Sequence, residues 1–333
     1  VVEVGLENLQ VQNTLISMYA KFGRMVEAQE IFDCMLFHDE VSWTALISGY
    51  TDQGLGQDAL TCYEKMVMTG RSCDAIMLSS VAKACTCIGD IDEGRKVHTE
   101  IILKGFEEVS YAGNSLIDMY STCGSLKEAC FVFENLPNRN VVAWTTLIGG
   151  YATHECGKVL DCFNQMELEG LSPNSITFAH CLKACGSIIN MEKGREIHGE
   201  IIKKGLLEED QIVSNALIDM YVKCGMLAEA QEVFDKLLVR DVVSWTTLIT
   251  GYTQCGHSEE ALDCLKLMQF WGFSPDRITC VAALGACSGI GDIRLGRKIH
   301  DQVMMWNDVL LFDDVDVGNA FVNMYVKCGW FTE

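Results

Sequence analysis

The side chains able to do chemistry in this 333-residue sequence recur at a fixed interval and do not gather. Histidines stand at His98, His198 and His300. Cysteines precede a glycine at Cys123, Cys224 and Cys328 and follow an alanine at Cys85, Cys185 and Cys287. A metal centre or a nucleophile–base pair needs such groups within bonding reach of one another. Side chains about 100 positions apart in equivalent settings are echoes of a repeat, with packing or surface roles. No cysteine–histidine pair has zinc-site spacing. His154 and Glu155 are adjacent but lack the Pro-Cys-x-x-Cys partner of a zinc deaminase. The expectation is a chain that is no enzyme and carries no metal and no cofactor.

A polar series is more informative. Asn13-Thr14-Leu15-Ile16, Asn114-Ser115-Leu116-Ile117, Asn215-Ala216-Leu217-Ile218 and Asn319-Ala320-Phe321-Val322 lie 101, 101 and 104 residues apart. Asparagine offers both a donor and an acceptor, so these residues either cap helices or present hydrogen bonds to a ligand. Trp43, Trp144 and Trp245 form a parallel series at intervals of 101. They recur on the face that must meet the next unit, which favours core over stacking platform.

The elements that must carry these residues are short amphipathic helices. Between Gln211 and Asp276, Ala216, Leu217, Met220 and Tyr221 share one helical face. Leu227, Ala230, Val233, Phe234 and Leu237 share another. Gly225 separates them, where a helix ends in the left-handed conformation that glycine adopts without penalty. A pair this small cannot bury both faces alone and must lean on a neighbour. Repetition in units of roughly 31 to 38 residues signals an all-α solenoid of stacked helix-turn-helix repeats.

Three unit types alternate. Short units occupy 9–39, 110–140 and 211–241, with an incomplete one at 315–333; residues 1–8 read as the end of a preceding repeat. Tryptophan-bearing units occupy 40–74, 141–174 and 242–276. The third type, with its Gly-Arg-x-x-His, occupies 75–109, 175–210 and 277–314. The unit 141–174 is one residue shorter than its siblings around His154 to Lys158. The least regular spot is Trp306 to Val315, with Asp313, Asp314 and Asp316. The chain begins at Val1 inside a partial unit and stops at Glu333 in mid-repeat, as expected of a fragment whose targeting peptide or terminal catalytic domain lies elsewhere.

Composition agrees. Hydrophobic residues make up 49%, and the three prolines (Pro137, Pro173, Pro275) interrupt no expected helix. No run of 18 apolar residues exists, so no membrane span is expected. The 17 cysteines are spread evenly, which fits periodic burial of a small soft residue in a reducing compartment better than crosslinking.

At these residues the sequence resembles the pentatricopeptide repeat proteins of the plant organellar class in which short, standard and long motifs alternate. VSNALIDMYVKCGMLAEAQEVFDKL is similar to the short motif, VSWTTLITGY with SEEALDCLKLMQFWGFSPD to the standard one, and ALGACSGIGDIRLGRKIH to the long one. The tetratricopeptide repeat, the nearest rival, expects a Trp-x-x-Leu-Gly-x-x-Tyr pattern that no unit has. The resemblance covers essentially the whole chain. It implies a right-handed α–α superhelix that binds single-stranded RNA one base per repeat.

In that family the fifth and last residues of a unit read the base edge, from the start of the first helix and the end of the second. The second residue wedges between bases. Carried over, the reading pairs are Asn13 with Asp39, Thr44 with Asp74, Asn114 with Asn140, Thr145 with Asn174, Asn215 with Asp241 and Thr246 with Asp276, and Asn319 stands alone. The wedges are Val41, Val142, Ile212 and Val243, which could also be seam residues. Asparagine in short units against threonine in standard units favours reading over simple capping. The resemblance implies U for Asn with Asp, G for Thr with Asp, C for Asn with Asn and A for Thr with Asn. With the amino end toward the 5′ end, the expected preference is U-G-x-C-A-x-U-G-x. The long units carry Ser79 with Val109, Ala179 with Asp210 and Val281 with Asp314, so the x positions should be weakly read.

A net charge of −21 is unusual for a nucleic-acid binder, whose affinity normally draws on phosphate neutralisation. The expectation is that acidic residues coat the convex face. Lys21, Lys223 and Lys327 then meet phosphates, with Thr122 breaking that series. The expected partners are single-stranded RNA and other editing or processing factors, and neither DNA nor membrane. By resemblance the location is the mitochondrion or chloroplast, and the role is the specificity part of an RNA editing (C-to-U) or maturation factor. The rival reading is a helical-repeat scaffold whose groove holds a protein.

Overall fold

Each segment between turns carries one apolar stripe at helical spacing, so it folds as a short helix that must bury one side. The computed structural model describes residues 2–305 and 315–329 and has no strand among them. The acidic stretch 306–314, which includes the reading candidate Asp314, lies outside the described residues. The chain divides into two compact units, Val1–Pro173 and Asn174–Glu333.

In the first unit the helices are α1 (Val2–Lys21), α2 (Met25–Cys34), α3 (Glu40–Asp52), α4 (Gly56–Met68), α5 (Ala75–Ile88), α6 (Ile91–Leu103), α7 (Ser110–Thr122), α8 (Leu126–Asn135), α9 (Val141–His154) and α10 (Val159–Leu168). They pair as antiparallel hairpins. The first helices α1, α3, α5, α7 and α9 pack on one another in turn. The second helix of a hairpin leans on its own first helix and on the next one.

The second unit repeats the scheme with α11 (Ser175–Ile188), α12 (Met191–Lys203), the single turn α13 (Leu206–Glu209), α14 (Gln211–Lys223), α15 (Leu227–Lys236), α16 (Val242–Gln254), α17 (Ser258–Phe270), α18 (Arg277–Ile290), α19 (Ile293–Met305) and α20 (Val315–Lys327). Here α11, α14, α16, α18 and α20 form the row of first helices. Gly225 closes the α14–α15 turn at φ +73°, in the left-handed region expected of it.

Two local features depart from the regular spacing. Helix α1 runs unbroken from Val2, so residues 2–8 continue the first helix and do not end a preceding hairpin. Leu6, Glu7, Leu9 and Gln10 are good helix formers and no proline stops them. In the unit 141–174 the missing residue is absorbed at the turn, where a 3₁₀ turn at Cys156–Lys158 shortens α10 to 10 residues against 13 in α4 and α17.

The periodic tryptophans and histidines are seam residues. Trp43, Trp144 and Trp245 are buried and meet Phe32, Phe133 and Phe234 edge-on at 4.7, 4.6 and 4.6 Å between centroids. His98, His198 and His300 place Nδ1 at 3.0, 2.8 and 2.7 Å from the hydroxyls of Tyr120, Tyr221 and Tyr325 on the next first helix. One turn earlier, Gly94, Gly194 and Gly296 admit that helix closely. A Cβ on each would stand 2.5, 2.7 and 2.5 Å from the sulfur of Met119, Met220 and Met324. All 17 cysteines are free thiols. Burial pushes Cys85, Cys185 and Cys287 up to about 12, 11 and 12, so they act as small apolar side chains.

Candidate nucleic-acid interface

The first four N–H groups of a helix have no partner within it, and a short side-chain acceptor just before the helix can take one of them. The last residue of each short and standard unit does this. Asp39 accepts from the Ser42 amide at 2.8 Å, Asp74 from Met77 at 2.7 Å, Asp241 from Ser244 at 2.7 Å and Asp276 from Thr279 at 2.8 Å. Asn140 accepts from Ala143 and Asn174 from Thr177, each at 2.9 Å. These residues therefore stand in extended backbone as N-caps of the following first helix and not at the end of the second helix, where they were expected. The free amides at the helix start hold them there.

The asparagines of the fifth position are not caps, because Asn13, Asn114, Asn215 and Asn319 lie inside α1, α7, α14 and α20. Asn13 Nδ2 donates to Asp39 Oδ1 at 3.1 Å, and Asn215 Nδ2 reaches both carboxylate oxygens of Asp241 at 3.4 and 3.3 Å. The two members of each pair, 26 residues apart, are thus neighbours. With its nitrogen turned to the carboxylate, Asn13 leaves Oδ1 buried without a partner, and Asn114 Oδ1 is in the same condition. Orphaned acceptors of this kind are rare in folded proteins. Burial alone would raise the Asp39 carboxyl. Hydrogen bonds from the Ser42 side chain and amide and then from Asn13 outweigh it and hold the group below its usual value.

The threonines are arranged otherwise. Thr44 and Thr145 donate to the carbonyls of Glu40 and Val141 at 2.8 and 2.7 Å. Thr246 instead lies 2.6 Å from the hydroxyl of Thr279. Thr145 belongs to the first compact unit, and Asn174 opens the second.

The wedge candidates Val41, Val142, Ile212 and Val243 are all more than half exposed, so they are not seam residues. Ile76, Ile176 and Ile278 occupy the same place in the long units and are equally exposed. They extend the row beyond the residues singled out in the sequence, and their signal was the branched aliphatic one residue after each helix start. The hydroxyls of Ser42, Thr177, Ser244 and Thr279 were also overlooked, although Asp or Asn with Ser or Thr three positions on is a capping pattern.

In the first unit Lys21, Val41, Thr44, Asp74 and Ile76 line one cleft of about 610 Å³, which also touches Glu40 and Asp52. In the second, Arg277, Ile278, Val281 and Asn319 line another of about 440 Å³. Lys21 and Lys327 are exposed, and Lys223 pairs with Asp219 at 2.6 Å. Among the described residues no group of three or more His, Cys, Asp and Glu side chains could hold a metal ion. No described helix is long and apolar enough to cross a membrane.

Residues 139–187 and 240–289 match the PPR repeat family, and residues 13–39, 41–70, 114–141 and 212–242 match the PPR repeat, together more than half of the chain. The chain belongs to the pentatricopeptide repeat family. A chloroplastic pentatricopeptide repeat-containing protein of Arabidopsis thaliana is 35% identical over 333 residues, covering 100% of this chain and 53% of its own length. A mitochondrial one is 35% identical over 326 residues, or 97% of this chain and 31% of its own. This pentatricopeptide repeat chain therefore spans about half or less of those relatives. Its fold is similar to that of the pentatricopeptide repeat protein PPR10 solved in complex with an 18-nucleotide psaJ RNA element. The TM-score is 0.73 at 19% identity, covering 87% of this chain and 44% of the other.

Proposed function

We propose that this pentatricopeptide repeat chain binds single-stranded RNA one base per repeat, preferring U-G-x-C-A-x-U-G-x, as the specificity part of an organellar RNA editing or maturation factor. The observation that carries the reading is the double duty of the last residue of each short and standard unit. Its Oδ1 is spent on the next helix, so the other end of the side chain, shared at Asp241 with Asn215 Nδ2, is what can meet a ligand. For Asp39, Asp74, Asp241 and Asp276 that end is an acceptor, and for Asn140 and Asn174 it is an amide donor. Uracil and guanine carry a ring N–H on their pairing edge, whereas cytosine and adenine carry a ring nitrogen lone pair. An acceptor suits the first two and a donor the second two, which agrees with U and G opposite the aspartates and C and A opposite the asparagines.

The exposed aliphatics at Val41, Val142, Ile212 and Val243 supply apolar surfaces between successive bases. Chloroplastic and mitochondrial relatives support an organellar setting. The long units, with Val109 making no side-chain cap bond, give weak selection at x.

The test is a gel shift with an RNA bearing this sequence against a scrambled control. Thr145→Asn sharpens it, because it changes the fifth residue opposite one nucleotide. Preference there moves from A toward C by about tenfold, the size of one good base contact. Equal binding of matched and scrambled RNA refutes RNA reading, and an unmoved preference refutes the register.

A further inference from the structure

Thr246 and Asp276 have the same residue types as Thr44 and Asp74, yet their hydrogen bonding differs. Thr279 is fully buried in α18 three residues after Asp276. Its hydroxyl lies 2.7 Å from Asp276 Oδ1 and 2.6 Å from the hydroxyl of Thr246. A carboxylate has no proton to give, so Thr279 must donate to Asp276. A hydroxyl has one proton, so at its other contact Thr279 must accept, and the proton between the two threonines comes from Thr246. The chain of donation runs Thr246 to Thr279 to Asp276. At the other pair the third residue of the following unit is Met77, which has no hydroxyl. There Thr44 turns its proton to its own helix at Glu40, unconnected to Asp74.

We infer that Thr279 is a positioning residue for base selection, tying Thr246 and Asp276 into one acceptor-only surface. The inference rests on the reading of Thr246 and Asp276 as a base-selecting pair. With its proton committed, Thr246 offers only lone pairs, and Asp276 cannot swing away because Thr279 holds its Oδ1 by both amide and hydroxyl. An acceptor-only surface suits guanine, whose pairing edge carries a ring N–H and an adjacent amino group. It repels the ring nitrogen lone pair of adenine. Thr44, held only by a bond to the Glu40 carbonyl of its own helix, can turn its hydroxyl to donate to that lone pair and so forgives adenine. Two pairs of identical composition therefore read with different stringency, set by a residue that touches neither base.

The experiment measures dissociation constants for the full chain with the matched RNA and with G→A at the second or the eighth nucleotide. These lie opposite Thr44 with Asp74 and Thr246 with Asp276. Wild-type protein should lose more at the eighth nucleotide. Thr279→Val should lower the G-over-A preference there by about fivefold, the value of one neutral hydrogen bond, and leave the second nucleotide unchanged. Thr279→Ser, which keeps the hydroxyl, should retain it. An unchanged preference in Thr279→Val, an equal loss at both nucleotides, or a loss in Thr279→Ser overturns the inference. Wild-type protein indifferent to G→A at both nucleotides overturns the reading beneath it as well.

Discussion

At the scale of single residues, the place where this chain breaks its own pattern is Ile189. It follows α11 in the left-handed conformation at φ +55°, the only residue other than glycine with positive φ among those described. The equivalent positions are Gly89 and Gly291, both at φ +70°. An L side chain there meets its own carbonyl, a strain of roughly 1–2 kcal/mol, and Ile189 is mostly exposed, so it recovers little by burial. Ile189→Gly should raise unfolding free energy by about 1 kcal/mol after allowing for the greater freedom of glycine in the unfolded chain. Urea denaturation followed by circular dichroism measures it, and a lower midpoint would mean that the isoleucine packs usefully. The asparagines, threonines and aspartates proposed as reading pairs stand out in the sequence because they recur. What each proton does was not legible there, because Thr44 and Thr246 look alike until Met77 and Thr279 are seen beside them.

At the scale of elements, the helix pairs were legible because apolar spacing and turn glycines repeat together. The turns at Gly225 and around His154 to Lys158 fall where the spacing requires. The unbroken α1 was not legible, since spacing alone assigns a boundary wherever the period puts one. The histidine series likewise became intelligible only with its partners. His98 ties α6 to α7 through Tyr120, and burial holds its imidazole below the ordinary value. A group whose folded value is depressed binds fewer protons when folded. Its contribution is therefore complete above the unfolded value near 6.5 and is lost as pH falls below it. His98→Gln, which keeps a partner for Tyr120 and does not titrate, should flatten the fall of thermal stability between about pH 7 and 5. Identical pH profiles for the two proteins would show that folding leaves the proton affinity of His98 unchanged.

At the scale of the whole molecule, a net charge of −21 opposes the approach of a polyanion, so the proposed affinity for RNA must come from base edges and stacking. Lys21, Lys223 and Lys327 are the cations proposed to meet phosphate, and Lys223 is already paired with Asp219. Counterion release from about three phosphate contacts gives a slope of log affinity against log salt near −2. Titrations with the matched RNA from low to moderate salt measure it, and a slope two or three times steeper would mean an unrecognised basic track. The helix-capping role of the last residue in each short and standard unit has a consequence for what such a molecule can become. Any side chain recruited to that place must also start a helix well, and few beyond aspartate, asparagine, serine and threonine do. Its vocabulary is therefore bounded by folding before selection for any message begins. Under the proposed reading, exchanging aspartate for asparagine would rewrite a word at little loss, while bulkier replacements would unsettle the next hairpin before naming a new base.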